Sequence, residues 1–268
     1  MQRYFLPAHS LITDDTAIVY GDDAHHMARV MRMKAGQQVE IVTGGTVYLA
    51  ELEDVKKDSV HLRLLIQIPK IAAERTTVSL TLFQGLPKGD KIDQIIRQSC
   101  EIGVVRLAVF GGVRSVASLP PERQVGRVER WRKQAKESSE QAHRDRVPDV
   151  DYFPALTELL AAHPSGEGRL LLVPYEAQSL GLPSLKRVLR TIAENKLMET
   201  GEPYSDMDIA IAIGPEGGFD PREVSMLQAV GGQLLTLGSR ILRTETAGIV
   251  VAAAISYEFD LLGAGLFP

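Results

Sequence analysis

The chain has 268 residues, of which 44% are hydrophobic and 24% are charged, the composition of an ordinary globular protein with one large domain or two modest ones. It has neither an apolar run of about 20 residues nor the layout of a signal peptide, and its one cysteine excludes an internal disulfide, so a cytoplasmic protein that crosses no membrane is predicted. The formal net charge of −4 argues against nucleic-acid binding by the whole surface, and the spacing of the six histidines predicts no metal site.

The N-terminal part of the chain predicts a small, β-rich domain. Gly44 and Gly45 separate two strand-like runs, which is a hairpin signal, and a short helix is expected over residues 23–31 with Asp22 or Asp23 as its cap. Many short strands joined by local turns indicate a small barrel. The predicted strands cover residues 17–19, 38–43, 46–51 and 60–68.

After a polar, irregular stretch at residues 69–75, strands begin to alternate with helices. Apolar strands in such an alternation predict a mainly parallel sheet with helices on both faces. We therefore divide the chain into domains at residues 1–72 and 73–268. The predicted strands cover residues 77–83, 106–110, 169–173, 208–213 and 233–237, and the predicted helices cover 91–101, 122–142, 156–162, 184–195, 221–230 and 247–257.

Basic side chains concentrate between Arg114 and Arg146, where nine arginines and lysines are accompanied by five acidic residues. Contacts with phosphates need such a local concentration of charge. The same spacing also fits a solvated helix face with ion pairs between residues three or four positions apart. The sequence supports the two interpretations equally.

A glycine-rich segment, residues 213–219, follows the predicted buried strand 208–213. Gly214, Gly217 and Gly218 let the main chain turn tightly and approach a ligand closely. Asp220 and Pro221 then predict the start of a helix, and ligands of open α/β sheets bind at the carboxyl ends of strands. The alternative is a tight strand–helix connection that needs glycine only for steric reasons.

A second strand–loop–helix unit follows at once, and its loop spans residues 238–246. This loop joins two arginines, one glutamate and two threonines within a short turn. Loops after neighbouring parallel strands meet at one edge of the sheet. The two loops together therefore predict a polar ligand pocket that is built mainly from main chain.

These two loops, Ile213–Phe219 and Leu237–Ala247, resemble the signature of the RsmE-type 16S ribosomal RNA (uracil-N3) methyltransferases, a family of the SPOUT class. One segment, 195–208, is longer than the family pattern. Other segments are similar to further motifs of the family, so that the resemblance covers nearly the whole chain; these segments are 26–36, 84–90, 100–104 and 137–148.

The resemblance implies a C-terminal α/β domain of the SPOUT type, with a parallel sheet and a deep trefoil knot, and an N-terminal PUA-like β-barrel that binds RNA. It implies methyl transfer from S-adenosyl-L-methionine to N3 of one uridine in 16S rRNA of the small ribosomal subunit. It also implies a homodimer packed through the knotted domain. The residues implied to bind the cofactor are Leu172, Pro174, Gly214, Glu216, Gly217, Gly218, Leu237, Gly238, Ile241, Leu242, Arg243 and Thr246.

Two of these residues are predicted to take part in catalysis. Arg243 would stabilise the developing uracil oxyanion or clamp a phosphate, and the alternative is a structural salt bridge with Glu245. Glu216 would contact the cofactor or orient its loop, and the alternative is a charge that favours the helix start. The sequence singles out no general base. The resemblance places RNA contacts at Arg3, Arg29, Arg32, Lys88, Arg114 and Arg144.

Three other functions are considered. A transferase of the same class could act on a different atom, such as a ribose 2′-oxygen or a guanine. A non-catalytic RNA-binding ribosome assembly factor could have lost its donor site, although Gly214, Gly217 and Gly218 would then serve no purpose. A nucleotide-binding oxidoreductase is disfavoured because no dinucleotide fingerprint is present.

Overall fold

The computed structural model describes residues 1–13, 15–69, 78–164, 169–176, 181–201, 207–259 and 261. By its internal contacts the chain divides into two units, residues 1–71 with 139–147 and residues 72–138 with 148–268. Most of the predicted linker and part of the long segment 195–208 lie outside the described residues. No described helix is both long and apolar enough to span a membrane.

The first unit contains a curled, six-stranded sheet in the order β1-β4-β5-β6-β3-β2, in which only β1 and β4 pair in parallel. Register shifts between β5 and β6 mark bulges, which bend a sheet. Alternating residues such as Ile41, Leu52 and Leu62 form its apolar core. The predicted β-rich domain is confirmed. The strands are β1 (Arg3–Phe5), β2 (Leu11–Thr13), β3 (Thr16–Tyr20), β4 (Gln38–Thr43), β5 (Thr46–Val55) and β6 (Ser59–Ile68).

The predicted hairpin joins β4 to β5. Gly44 and Gly45 have φ angles of +56° and +75°, the pair of left-handed residues that a two-residue hairpin needs. The predicted start of the short helix is wrong, because α1 (Gly21–His25) begins two residues earlier and Tyr20 occupies its N-cap. Both aspartates expected to cap it lie in its first turn instead, where negative charge is also favourable. A π-helical segment over His26–Val30 follows.

The second unit contains six strands that all pair in parallel, in the order β12-β10-β11-β7-β8-β9. This confirms the predicted parallel sheet. The strands are β7 (Val78–Gly85), β8 (Arg106–Phe110), β9 (Asp149–Phe153), β10 (Arg169–Pro174), β11 (Met207–Ile213) and β12 (Gln233–Leu235). The helices are α2 (Lys91–Glu101), α3 (Pro121–Gln141), α4 (Leu156–Ala162), α5 (Leu185–Thr200), α6 (Pro221–Ala229) and α7 (Thr244–Glu258).

Three elements of the second unit differ from the prediction by more than two residues at one end or were not predicted at all. Strand β9 was missed, because its two aspartates interrupt the apolar run of a central strand and it lies at the sheet edge. Helix α5 continues to Thr200 and ends at Gly201, whose φ of +76° is typical of a helix C-terminus. Helix α7 begins three residues earlier than predicted, at Thr244.

The strand order determines where a ligand can bind. Strand β11 lies between β7 and β10, and β12 lies beside β10, so the loops that follow these strands meet at one edge of the sheet. Apart from Asp208, every residue of β11 is buried, as expected for a central strand covered on both faces. The glycine-rich segment and the second loop both leave the sheet at this edge.

Candidate donor site

The glycine-rich segment is held by the start of α6. The Asp220 carboxylate accepts a hydrogen bond from the Arg222 main-chain N–H at 3.0 Å, and Glu223 Oε2 accepts one from the Asp220 N–H at 2.8 Å. This capping box confirms the predicted helix start. Glu223 is buried, and its Oε1 also accepts from the Val113 N–H at 2.9 Å, so it ties the loop after β8 to the helix.

The glycines of the segment are required by close approaches of the main chain. A Cβ atom on Gly214 would lie 2.9 Å from the carbonyl carbon of Gly218, and one on Gly217 would lie 2.8 Å from the Arg114 carbonyl oxygen. Gly218 has a φ of +67°, which side chains disfavour. The tight packing means that the glycines are needed for steric reasons, which was the alternative interpretation of the sequence. The segment also borders a cavity.

The cavity has a volume of about 620 Å³ and lies at the carboxyl ends of β10, β11 and β12. Ten of the twelve residues predicted to bind the cofactor line it, so two segments far apart in sequence are brought together. These ten are Pro174, Gly214, Glu216, Gly217, Gly218, Leu237, Gly238, Ile241, Leu242 and Arg243. The other two lie nearby: Leu172 is buried within β10, and Thr246 is in the first turn of α7.

Sequence reasoning missed several residues that line the cavity. Tyr175 and Glu176 directly follow β10, and Thr236 directly follows β12. Their position after parallel strands was the signal that could have identified them. Lys91 and Thr244 also line the cavity, but they start helices and gave no such signal.

Lys91 joins the two loops at the cavity wall. Its Nζ lies 2.9 Å from Glu216 Oε1 and 3.4 Å from Glu245 Oε2. The hydrogen bond to Glu216 is the main reason why the pKa of Lys91 is raised. Burial tends to raise the pKa of Glu216, but hydrogen bonds from Lys91 and from the Lys88 N–H, the latter 3.0 Å long, lower it. Both groups are therefore charged near neutral pH.

Arg243 is the N-cap residue of α7, and 82% of its side chain is exposed. Its Nη1 lies 3.9 Å from Glu245 Oε1, so the salt bridge considered as an alternative is present as a long contact. So long a contact with an exposed cation contributes little to stability. The guanidinium therefore stays available to a ligand in the cavity that it lines.

The residues predicted to contact RNA fall into two groups. Arg29, Arg32, Lys88 and Arg114 are exposed, and Arg114 also lines the cavity. Arg3 and Arg144 are buried in the first unit. The Arg3 guanidinium binds Glu40 at 2.8 Å and donates to the carbonyl oxygens of His143 and Arg144, so it holds residues 139–147 in place.

Several bases of the concentration between Arg114 and Arg146 have partners within the second unit. Arg130 donates to both carboxylate oxygens of Asp93, and Arg132 donates to Asp151 at 2.7 Å. Arg127 lies over the Trp131 ring, 5.9 Å from its centre. These contacts favour the ion-paired helix face over a phosphate-binding stripe.

Within the part of the chain that the structure describes, no group of three or more His, Cys, Asp or Glu side chains could hold a metal ion. Cys100 is buried, and its Sγ lies 3.5 Å from the Ala135 carbonyl oxygen. It belongs to the core of the second unit.

Comparisons with known proteins agree with this architecture. Residues 74–256 match the family model described as RNA methyltransferase domain, and residues 19–65 match RNA methyltransferase PUA domain. Ribosomal RNA small subunit methyltransferase E of Bacillus subtilis (strain 168) is 31% identical over 265 residues, which are 98% of this chain and 98% of that protein. The PUA-like first domain is thereby confirmed.

Solved structures share the fold. A crystal structure of a hypothetical protein, 31% identical, superposes with a TM-score of 0.79 over 97% of this chain and 100% of that chain. The crystal structure of ribosomal RNA small subunit methyltransferase E from Neisseria gonorrhoeae bound to S-adenosyl methionine, 24% identical, gives 0.75 over 96% and 97%. From the family model and the Bacillus relative, the chain belongs to the ribosomal RNA small subunit methyltransferase E family.

Proposed function

We propose that this protein transfers a methyl group from S-adenosyl-L-methionine to N3 of a uridine in 16S rRNA of the small ribosomal subunit. The observation that carries the proposal is the cavity at the carboxyl edge of the parallel sheet, where two lining glycines, Gly214 and Gly217, leave no room for a Cβ atom. Membership of a family of ribosomal RNA methyltransferases supports the reaction class.

The cavity fits the donor in size and lining. A volume of about 620 Å³ lies within the range of about 300–1,000 Å³ that small-molecule sites occupy. Leu237, Ile241 and Leu242 offer apolar walls, and the glycines line the cavity with main chain alone. When bound, the sulfonium donor supplies an electrophilic methyl group. The task of the chain is to hold donor and acceptor in line, which is mainly positioning.

We assign to Arg243 the role of stabilising the acceptor base. Methylation at N3 removes the imide proton, and negative charge develops on the uracil oxygens. The exposed guanidinium at the cavity wall can stabilise that charge. Glu216 is assigned a different role: because it is ionised and bound by Lys91 and the Lys88 N–H, it orients the glycine-rich segment.

The substrate must present its base outside a duplex, because N3 lies on the Watson–Crick edge. We assign phosphate contacts to the exposed side chains of Lys88 and Arg114 in the second unit and of Arg29 and Arg32 in the first. Arg3 is left out of these contacts, because its guanidinium is buried among partners. Arg144 is also left out, because it is buried and a phosphate could not reach it.

Three expectations remain predictions: the trefoil knot and the homodimer, which the family resemblance implies, and the cytoplasmic location, which the composition implies. Helix α7 supports the homodimer, since its outer side exposes Val250 and Tyr257. Large apolar side chains on one side of a helix often mark an interface.

The first experiment is calorimetric titration of the purified protein with S-adenosyl-L-methionine, with NAD and ATP as controls. Selective binding of the methyl donor is expected, and selective binding of NAD or ATP would overturn the proposal. Labelled methyl transfer to small ribosomal subunits, followed by mass spectrometry of the modified nucleotide, then tests the target atom. Donor binding with methylation at another atom would support a different transferase, and no binding of any nucleotide would support the RNA-binding assembly factor.

A further inference from the structure

A buried chain of hydrogen bonds connects three elements behind the cavity. Gln84 Nε2, near the end of β7, donates to Thr244 Oγ1 at 2.8 Å, and Thr244 Oγ1 donates to the Gly214 carbonyl oxygen at 2.7 Å. Gln84 Nε2 also donates to the Gly85 carbonyl oxygen at 3.0 Å. Gln84 is fully buried and Thr244 nearly so.

The direction of each bond in the chain follows from the chemistry of the groups. A threonine hydroxyl has one proton, and because that proton goes to the Gly214 carbonyl, the oxygen must accept from its other neighbour. Only the NH₂ side of the Gln84 amide can donate there, and its two protons are both used. A turned amide would place its oxygen against the Gly85 carbonyl oxygen.

This chain of hydrogen bonds fixes both loops that form the cavity. Gly214 opens the glycine-rich segment, whereas Thr244 closes the second loop and is the first residue of α7. The end of β7 also packs on this segment, because a Cβ atom on Gly85 would lie 2.5 Å from the Pro215 nitrogen. The Thr244 hydroxyl therefore sets the spacing between the glycine-rich segment and the second loop, which form two main-chain walls of the cavity.

We propose that Gln84 and Thr244 are positioning residues of the donor site, which hold the glycine-rich segment and the second loop at the separation that admits the donor. This inference rests on the proposed methyl-donor function. It assigns a role to the amide of Gln84, which does not itself line the cavity. The chain of hydrogen bonds shapes the site before the donor enters. Loss of these hydrogen bonds therefore lowers donor affinity and leaves the transfer step largely intact.

The test compares Thr244→Val and Gln84→Met with the conservative Thr244→Ser and with Ser256→Ala. Ser256 is a matched control, because it is also a buried hydroxyl of α7 but has no hydrogen-bond partner among the described residues. Donor affinity is measured by calorimetry, KM and kcat by methyl transfer, and folding by thermal denaturation.

Thr244→Val and Gln84→Met are expected to weaken donor binding at least about tenfold and to raise the KM for the donor in step. The kcat at saturating donor should stay within about threefold, as should the affinities of Thr244→Ser and Ser256→Ala. The double variant should bind the donor no more weakly than the single variant with the lower affinity, because both changes break the same chain of hydrogen bonds.

The outcomes separate this inference from the proposed function. A wild-type protein that does not bind the donor would contradict the function itself. If the wild type binds and both single variants bind equally well, the positioning role is wrong. Should Thr244→Val fail to fold, Gln84→Met alone decides. If donor affinity falls only in proportion to the melting temperature across all variants, Ser256→Ala included, the role is structural. That result would also overturn the inference.

Discussion

Gly217 packs tightly against the loop after β8, because a Cβ atom there would lie 2.8 Å from the Arg114 carbonyl oxygen. Main-chain atoms on both sides must move to admit it. We therefore expect Gly217→Ala to weaken donor binding at least about tenfold in calorimetry, with a smaller effect on the melting temperature.

The control for this variant is Gly126→Ala. Gly126 lies in the interior of α3, and nothing lies within 4 Å of the added Cβ atom. Alanine should stabilise the protein by about 0.5–1 kcal/mol there and leave donor affinity unchanged. Equal donor affinity of Gly217→Ala and the wild type would show that the donor binds elsewhere.

Arg243 is expected to act on the transfer step rather than on donor binding. Its removal in Arg243→Ala should lower kcat about 100-fold, the usual cost of losing one donor to a developing oxyanion. The donor Kd should change less than about threefold, since the side chain is 82% exposed. Arg243→Lys should recover part of the rate, because it restores the charge without the planar fork.

Arg222→Ala is the matched control for this rate measurement, since Arg222 is exposed at the start of α6 and does not line the cavity. It should turn over like the wild type. An unchanged kcat in Arg243→Ala would transfer the assignment to another cation at the cavity wall, which is Lys91, Arg114 or Arg240.

The glycines and the two loops could be predicted from sequence, because tight turns after buried strands depend on local residues. Long-range partners could not. Gln84 and Thr244 are 160 residues apart, and neither belongs to a pattern that indicates the other. Arg3 was assigned to RNA from the family resemblance, whereas its contact with the Arg144 carbonyl, 141 residues away, is not visible in the sequence.

At the scale of elements, Lys91 connects the start of α2 to both loops of the cavity. Lys91→Met would leave the Glu216 and Glu245 carboxylates without their shared cation. We expect donor affinity to fall about fivefold, with a stability loss below about 1 kcal/mol because the pair is partly exposed. Lys91→Arg should restore most of the affinity.

The pKa directions define the pH range of this bridge. The pKa of Glu216 is lowered from 4.5 and that of Lys91 is raised from 10.5, so the bridge is lost only as pH falls below about 4.5 or rises above about 10.5. Donor affinity of the wild type and of Lys91→Met should therefore differ by a constant factor between pH 6 and 9. Lys196→Met, which removes a long surface pair with Glu199 on α5, should have no effect.

Glu40 has the corresponding role in the first unit, where it binds Arg3 at 2.8 Å and His143 at 3.0 Å. Burial tends to raise the pKa of Glu40, but hydrogen bonds from Arg3 and His143 lower it. A lowered pKa means that its stabilisation is present above the unfolded value of 4.5 and is lost as pH falls through the folded value.

Glu40→Gln should thus cost about 2 kcal/mol at pH 7, and the difference from the wild type should shrink below about pH 4.5. Melting curves measured at pH 3 to 8 test this. Glu53→Gln, on the same sheet but paired through an exposed contact with Arg63, should show little difference at any pH. A constant difference for Glu40→Gln across the range would mean that packing, not charge, is lost.

Element types followed from alternation and from caps, which is why the parallel sheet and most helices were predicted. Ends and edges were less predictable. The start of α7 was placed three residues late, because Thr244 has no capping side chain before it and serves a tertiary hydrogen bond instead. Strand β9 forms through pairing with β8, so it has little apolar pattern of its own.

At the scale of the whole molecule, α7 has two different sides. Val251 and Ile255 are buried within the second unit, whereas Val250 and Tyr257 point outward, with Tyr257 82% exposed. In the proposed homodimer, a second copy of the chain would cover this outer side of α7.

We therefore expect the wild type to sediment as a dimer and Tyr257→Glu to shift it toward the monomer at micromolar concentration, because a buried charge without a partner opposes association. Val125→Glu is the control, since Val125 is 70% exposed on α3 and should leave the dimer intact. A monomeric wild type would contradict the proposed homodimer, and a Tyr257→Glu protein that stays dimeric would place the interface elsewhere. If the donor cavity depends on the dimer, Tyr257→Glu should also bind the donor more weakly, and this loss should disappear at high protein concentration.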